Sequence, residues 1–175
     1  MKKILVTGGA GFIGSNLIYE LVSQGYEVTS IDDYSAGLKK NEVEGAEYIN
    51  LDIDMVDNLD NNFDICFHLA AKSRVQPSFI DPTEYFRVNV NGTMKIMEWA
   101  KKNNVKVIYA GSSSKHHNPS DSPYAMYKFL GEEVCKLYKN SYSIDVEIAR
   151  FYNVYGPNES LDETHGNVIG IWQTK

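Results

Sequence analysis

Cysteine is scarce: the 175-residue chain carries two, Cys66 and Cys135, far apart and in apolar or helical surroundings. That excludes a disulfide-stapled secreted scaffold, and no third ligand stands near the paired histidines His116 and His117 to make a metal site. Two isolated thiols are expected to stay reduced, which points to the cytoplasm. Positive charge is also short, with 17 Lys+Arg against 23 Asp+Glu and a net charge of −6. No basic cluster with interleaved aromatics occurs, so nucleic acid is not an expected partner. Any anionic ligand must then be met by local dipoles. Long apolar runs are missing as well. No stretch reaches the length needed to cross a bilayer. The opening Met1-Lys2-Lys3 and its apolar sequel are cut by glycines after Val6, too early for a secretory leader.

What is present is enough for one domain to bury a core: 43% of the residues are hydrophobic, with no internal repeat and no low-complexity run. The most informative stretch lies at residues 4–16, where Ile4, Leu5 and Val6 run into Gly8, Gly11 and Gly14, three apart, and then into a helical pattern. Glycines at this spacing let the chain turn tightly, bring bare backbone against a pyrophosphate and seat a helix close on a sheet. The helix N-terminus adds unpaired N–H groups and the positive end of its dipole. A glycine triplet alone is weak evidence, but its context agrees. It follows a strand, it opens a helix (Phe12, Ile13, Leu17, Ile18, Leu21), and a second strand over residues 26–31 ends on Asp32, 21 residues after Gly11. A carboxylate there accepts the ribose hydroxyls of an adenosine and repels a 2′-phosphate, so NAD is expected rather than NADP. Lys39 and Lys40, nearby, read as a solvated face.

Farther on, residues 34–41 read as a polar loop, residues 46–50 as a strand, and Asp52 as a carboxylate beside an adenine, as the N-cap of a helix over residues 55–59, or as both. Residues 63–69 form an apolar strand containing His68, which reads as a structural histidine rather than a catalyst. Asp81 caps a long helix, begun by Pro82 and running towards Asn103, in which Asn89 is expected to bond the backbone of an adjacent strand. A strand over residues 105–110 ends in Gly111-Ser112-Ser113-Ser114, putting hydroxyls where open parallel sheets bind ligands. Residues 115–121 read as a surface loop. Ser122-Pro123-Tyr124 opens a helix to about Tyr142, and residues 145–150 are a sixth strand. Strand and helix alternate throughout, the pattern of an α/β, doubly wound parallel sheet in three αβα layers.

Tyr124 and Lys128 are four apart on one helix and share a face. An ammonium beside a phenol favours phenolate, bringing tyrosine towards the range of a general base. An ordinary exposed pair is the bland alternative; it gives way because serines close the preceding strand and a dinucleotide turn opens the chain.

Taken together, Thr7-Gly8-Gly9-Ala10-Gly11-Phe12-Ile13-Gly14-Ser15, the serine run, the Tyr124/Lys128 pair and Arg150-Phe151-Tyr152-Asn153-Val154-Tyr155-Gly156-Pro157 resemble the extended short-chain dehydrogenase/reductase family, most closely its nucleotide-sugar epimerases and dehydratases. The resemblance implies a Rossmann-type domain over residues 1–158 holding NAD. It implies Tyr124 as acid/base, Lys128 on the nicotinamide ribose, and Ser112 or Ser113, with Ser112 preferred, steering a substrate hydroxyl. Gly8, Gly11, Phe12, Ile13, Gly14, Asp32, Asp33, Ser35, Asp52, Ile53, Leu69, Ala70, Ala71, Asn89, Tyr152 and Val154 fall where the family lines its cofactor pocket.

The reaction implied is epimerisation at C4 of a nucleotide-diphosphate sugar, a UDP-sugar first, through a transient 4-keto sugar. Dehydratases place an Asp-Glu pair where this chain has Ser113-Ser114, which argues against dehydration. Decarboxylase or reductase chemistry of the same family is the alternative, as is an NAD-binding module that needs a partner chain. Two departures accompany the resemblance. Only nine residues separate Ser114 from Tyr124, with His116-His117 near a usual Tyr-Gly position. Residues 159–175 then read as only the start of a substrate-binding region, with strand or helix potential at residues 168–172. Family dimers pair the helix after Asp81 with the one carrying Tyr124, and a homodimer is expected on that ground.

Overall fold

Alternating strands and helices close into one six-stranded, all-parallel sheet of order β3-β2-β1-β4-β5-β6 in a computed structural model that describes residues 2–59 and 62–159. The substrate-region reading of residues 160–175 lies outside the described residues. The strands are β1 (Lys3–Thr7), β2 (Glu27–Asp32), β3 (Glu47–Asn50), β4 (Ile65–His68), β5 (Lys106–Ser112) and β6 (Val146–Phe151). The helices are α1 (Phe12–Ser23), α2 (Val75–Ile80), α3 (Pro82–Phe86), α4 (Thr93–Asn103) and α5 (Pro123–Tyr142). This is the doubly wound α/β fold expected.

Both faces of the sheet are apolar because every strand is flanked by helices. Leu5, Cys66, Val107, Tyr109 and Val146 face Ile96, Met97, Trp99 and Ala100 of α4 and Cys135 and Tyr138 of α5. Ile4, Val6 and Val28 face Ile18 and Leu21 of α1. A side chain as enclosed as Leu5, fully buried, contributes about 2–5 kcal/mol when measured by truncation to alanine. Both thiols are buried and free, and burial pushes the Cys66 thiol up and the Cys135 thiol up to about 12. They are inert at neutral pH. Beyond α1 a cavity of about 440 Å³ lies over the same face, lined by Phe12, Ile13, Leu17, Phe67, Leu69 and Ile108 among others.

The chain winds outward from β1 through β2 to β3, then returns to β4 on the other side of β1. The loops after β1 and β4 therefore part, and they leave a crevice at the carboxyl end of the sheet. Thr7 pairs with Ile31 on one side and with His68 on the other, so three strand ends finish level there.

Several elements depart from the sequence reading. The strand expected over residues 63–69 is confined to β4, and the one expected over residues 105–110 continues through Ser112, because β6 pairs with it to Phe151. Asp52 does act as an N-cap, accepting from the Asp54 amide at 2.9 Å, but the element it opens is a short 3₁₀ helix, Ile53–Asn58. Residues 115–121 contain parts of two short 3₁₀ turns rather than only loop. Helix α2 had no expectation; its six residues are too few to display a period. The long helix after Asp81 is also not uniform. Asp81 caps it and Pro82 starts it, as read, but Arg87–Gly92 forms a π turn between α3 and α4. Such a turn inserts an extra residue and re-aims the side chains around it.

Candidate functional site

At the carboxyl end of β1 the chain enters a turn that only small residues can make. Gly8 adopts φ +75°, and a Cβ there would stand 2.9 Å from the backbone of Ala70; a Cβ on Gly14 would stand 2.2 Å from the Gly8 carbonyl oxygen. Gly11 is the N-cap of α1 and brings no side-chain cap, while the first helical bond runs from the Ser15 amide to the Gly11 carbonyl. The amides of Phe12, Ile13 and Gly14 thus have no acceptor inside the helix. The cradle is bare backbone ending on these donors, with the α1 dipole behind them, and it fits a dinucleotide's pyrophosphate.

Asp32 stands beside this cradle. Its side chain is 8% exposed and accepts from the Ala10 amide at 2.9 Å and the Tyr34 amide at 2.8 Å. Burial raises its pKa and the two amide donors oppose that rise. The carboxylate is fixed at the turn, where its charge disfavours a 2′-phosphate. Asp33 accepts from the Ser35 amide at 2.9 Å. Lys39 and Lys40 are exposed, and Lys39 lies over the Tyr34 ring.

Asp52 is engaged by Arg87. Both carboxylate oxygens accept from the guanidinium, at 2.9 and 3.1 Å, and Arg87 also holds Asp54 and Glu84. Bonds from Arg87 hold Asp52 below the usual carboxylate range. Ile53, buried beside it, packs close to Gly92 of the π turn.

Asn89 does not bond a strand. It clamps both backbone groups of Lys72 in the loop after β4, its Oδ1 accepting from the Lys72 amide at 2.8 Å and its Nδ2 donating to the Lys72 carbonyl at 2.9 Å. The buried amide needed two partners, and the π turn aims it at a loop that follows the strand. The Asn89 carbonyl accepts from the Thr93 hydroxyl at 2.8 Å. With that proton committed, Thr93 accepts from His68 Nε2 at 3.1 Å. His68 Nδ1 is then the acceptor for the Thr7 hydroxyl at 2.9 Å, and Thr7 Oγ1 accepts from the Ala70 amide at 3.0 Å. His68 is therefore the neutral Nε2–H tautomer. Burial, with the charge of Lys128, lowers its pKa to about 3. Its role is structural, tying the glycine turn to the π turn.

The end of β5 brings Ser112 to Tyr124. Tyr124 Oη and Ser112 Oγ are 3.5 Å apart, a long contact of the kind that tightens when a ligand bridges it. Ser112 is 8% exposed and caps the next turn through the Ser114 amide at 3.1 Å; Ser113 lies in that turn, one residue beyond. Ser122 caps α5 through the Ala125 amide, Pro123 takes the first helical position, and the Tyr124 amide donates to Ser78 Oγ of α2 at 3.1 Å. One turn along, Lys128 is 5% exposed, donates to the Ala110 carbonyl at 2.5 Å and lies 4.5 Å above the Tyr109 ring. Burial pulls its pKa down to about 8. Its ammonium is held on β5, which fixes it close to the serine strand.

Other residues implied by the resemblance are spread more widely. Ala70 packs against Gly8, and Ala71 follows in the same loop, half-buried. Leu69 and Val154 line the apolar cavity beside Phe12 and Ile13. Tyr152 is 65% exposed, with its hydroxyl 2.9 Å from His116 Nε2 and its ring stacked on that histidine. Sequence reasoning missed three residues. Lys72 bonds Ser35 across the crevice, Arg87 gathers three carboxylates, and Glu132, 2% exposed, holds Arg150 at 2.9 Å. A glutamate buried on a helix four residues after Lys128 was the available signal for the last; the other two depend on contacts between segments distant in the chain.

A family model described as the NAD dependent epimerase/dehydratase family matches residues 4–174. The chain is 35% identical to a putative UDP-glucose 4-epimerase of Methanocaldococcus jannaschii over 98% of its own length and 62% of that protein's. It is 34% identical to a UDP-N-acetyl-alpha-D-glucosaminuronate decarboxylase of Bacillus cytotoxicus, over 96% and 59%. A solved UDP-N-acetylglucosamine 4-epimerase from Methanobrevibacter ruminantium, in complex with UDP-N-acetylmuramic acid, superposes with TM-score 0.88 at 31% identity, covering 99% of this chain and 64% of that one. The chain thus spans about three fifths of the length of these proteins.

Proposed function

Because the chain belongs to the NAD-dependent epimerase/dehydratase family, we propose that it performs the NAD-binding and proton-transfer part of nucleotide-sugar epimerisation at C4, with a UDP-sugar as substrate. The observation that carries this reading is the convergence of the Tyr124 and Ser112 hydroxyls, 3.5 Å apart, on the same sheet end as the glycine turn. NAD, when bound, supplies the acceptor and then the donor of the C4 hydride. Gly8, Gly11 and Gly14 with the first amides of α1 hold its diphosphate, and Asp32 holds its adenosine ribose. Tyr124 takes the proton from the C4 hydroxyl and returns it once the 4-keto sugar has presented its other face. Ser112 orients that hydroxyl. Lys128, one helical turn after Tyr124, is charged below about pH 8 and is held on the Ala110 carbonyl at the end of β5, where it keeps positive potential beside the site.

Residues 1–158 constitute the NAD-binding domain in this reading, and residues 159–175 begin the part that holds the sugar nucleotide. The reaction is cytoplasmic. Among the described residues no helix is long and apolar enough to cross a membrane.

Replacing Tyr124 with Phe removes the proton acceptor and nothing that touches the glycine turn. Turnover of UDP-glucose to UDP-galactose is expected to fall at least about 100-fold, while NAD still binds. Unchanged turnover in Tyr124→Phe overturns the assignment, and NAD binding with no turnover by the unaltered chain favours an NAD-binding module completed by a partner chain. Decarboxylation is the second reading, supported by the 34% identity to the decarboxylase; release of CO₂ from a UDP-uronate, with no C4 epimer formed, would establish it instead.

A further inference from the structure

Ser35 follows β2 and Lys72 follows β4, and these two strands flank β1. Yet Lys72 Nζ donates to Ser35 Oγ at 3.0 Å. The link therefore passes across the carboxyl end of β1, where the glycine cradle lies. Its two ends are held differently. The main chain of Lys72 is pinned on both sides by Asn89, whose side chain is 1% exposed, whereas the lysine stem is half-exposed and its bond to Ser35 is a surface contact. A rigid base thus carries a movable cation. Four carboxylates follow the strands on the Ser35 side: Asp32 and Asp33 at the end of β2, and Asp52 and Asp54 after β3. All four are engaged: Asp32 and Asp33 accept backbone amides, and Asp52 and Asp54 are held by Arg87.

We propose that Lys72 is a retaining strap for the dinucleotide: its ammonium closes over the cradle and pairs with the diphosphate, and opening of this contact limits cofactor release. This rests on the NAD-binding reading above. It extends that reading by adding a residue to the site and by predicting a rate. The cradle meets the diphosphate from below with backbone amides, and a lysine from the opposite loop meets it from above with a full charge, the stronger kind of hydrogen bond. Asn89, reached through the Thr7-His68-Thr93 chain from the turn itself, is the positioning residue that sets where the lysine starts.

The test is the release of NADH from the purified chain, followed by its fluorescence after dilution into excess NAD. Lys72→Met is expected to release NADH about tenfold faster or more, the scale of one charge-assisted hydrogen bond; Lys72→Arg should keep release within about threefold of the parent. Raising salt should speed the parent and leave Lys72→Met nearly unchanged, because screening acts on the lysine-phosphate contact. A parent that holds NADH, with Lys72→Met releasing it at the same rate, overturns the strap and leaves the NAD reading standing. A parent that binds no NADH overturns both. The melting temperature of Lys72→Met guards against misfolding; the Asn89 bonds use only the main chain of Lys72.

Discussion

At the scale of single residues, the buried polar chain from Thr7 through His68 to Thr93 sets a pH dependence. Unfolded, His68 binds its proton near 6.5; folded, it does so only near 3. Between those values the unfolded chain holds more protons, so the His68 contribution to stability is present above about pH 6.5 and is lost as pH falls towards 3. The slope is at most about 1.4 kcal/mol per pH unit. His68→Asn should flatten this part of the acid limb, measured by urea unfolding between pH 7 and pH 4, at a cost of about 1–3 kcal/mol in overall stability from the partners it leaves behind. A limb of unchanged slope would show that other groups carry it. His68 read as structural from the sequence alone because a lone histidine on an apolar strand seldom does chemistry. Its tautomer and both its partners come from three segments that only the folded chain brings together.

At the scale of elements, the glycine turn and the π turn do the positioning. The turn was legible because its constraint is local: φ and the absence of Cβ are properties of the residue itself. Gly14→Ala places a methyl group against the Gly8 carbonyl and 2.7 Å from the Gly9 Cα, backbone that cannot step aside. Such overpacking costs about 1–3 kcal/mol of stability, and NAD affinity should fall by tenfold or more, as titration calorimetry would register. The π turn was not legible. Phe86, Val90, Met94 and Met97 keep a helical spacing, and the pattern of a π turn differs from it by a single residue. The turn's expression is in contacts: Arg87 reaches the carboxylates of the 3₁₀ helix, and Asn89 reaches the main chain of Lys72. Helix α5, by contrast, was read to within its ends, since Ser122, Pro123 and the apolar period each act locally.

At the scale of the whole molecule, the exposed apolar residues of the paired helices matter. Met94 on α4 and Leu137 on α5 are 44% and 55% exposed, on two helices that pack side by side over one face of the sheet. We propose that these helices form the homodimer contact. Met94→Asp combined with Leu137→Asp should convert a dimer into a monomer in analytical ultracentrifugation, with the melting transition of the monomer domain retained; a parent that sediments as a monomer, or a variant that remains dimeric, would reject this surface.

By itself the sequence determined the alternation of strands and helices, the glycine turn after β1, the carboxylate of Asp32 at the end of β2 and the one-turn spacing of Tyr124 and Lys128 on α5. Each rests on spacing along one element, where 3.6-residue and two-residue periods and the freedom of glycine act without reference to the rest of the chain. The tertiary structure decided which serine meets Tyr124, where the Lys128 ammonium is held, that Asn89 clamps Lys72, and that Arg87 takes Asp52. Those are meetings between segments up to several tens of residues apart, fixed by the parallel sheet order and by burial, which leaves a polar group either paired across the fold or costly to enclose.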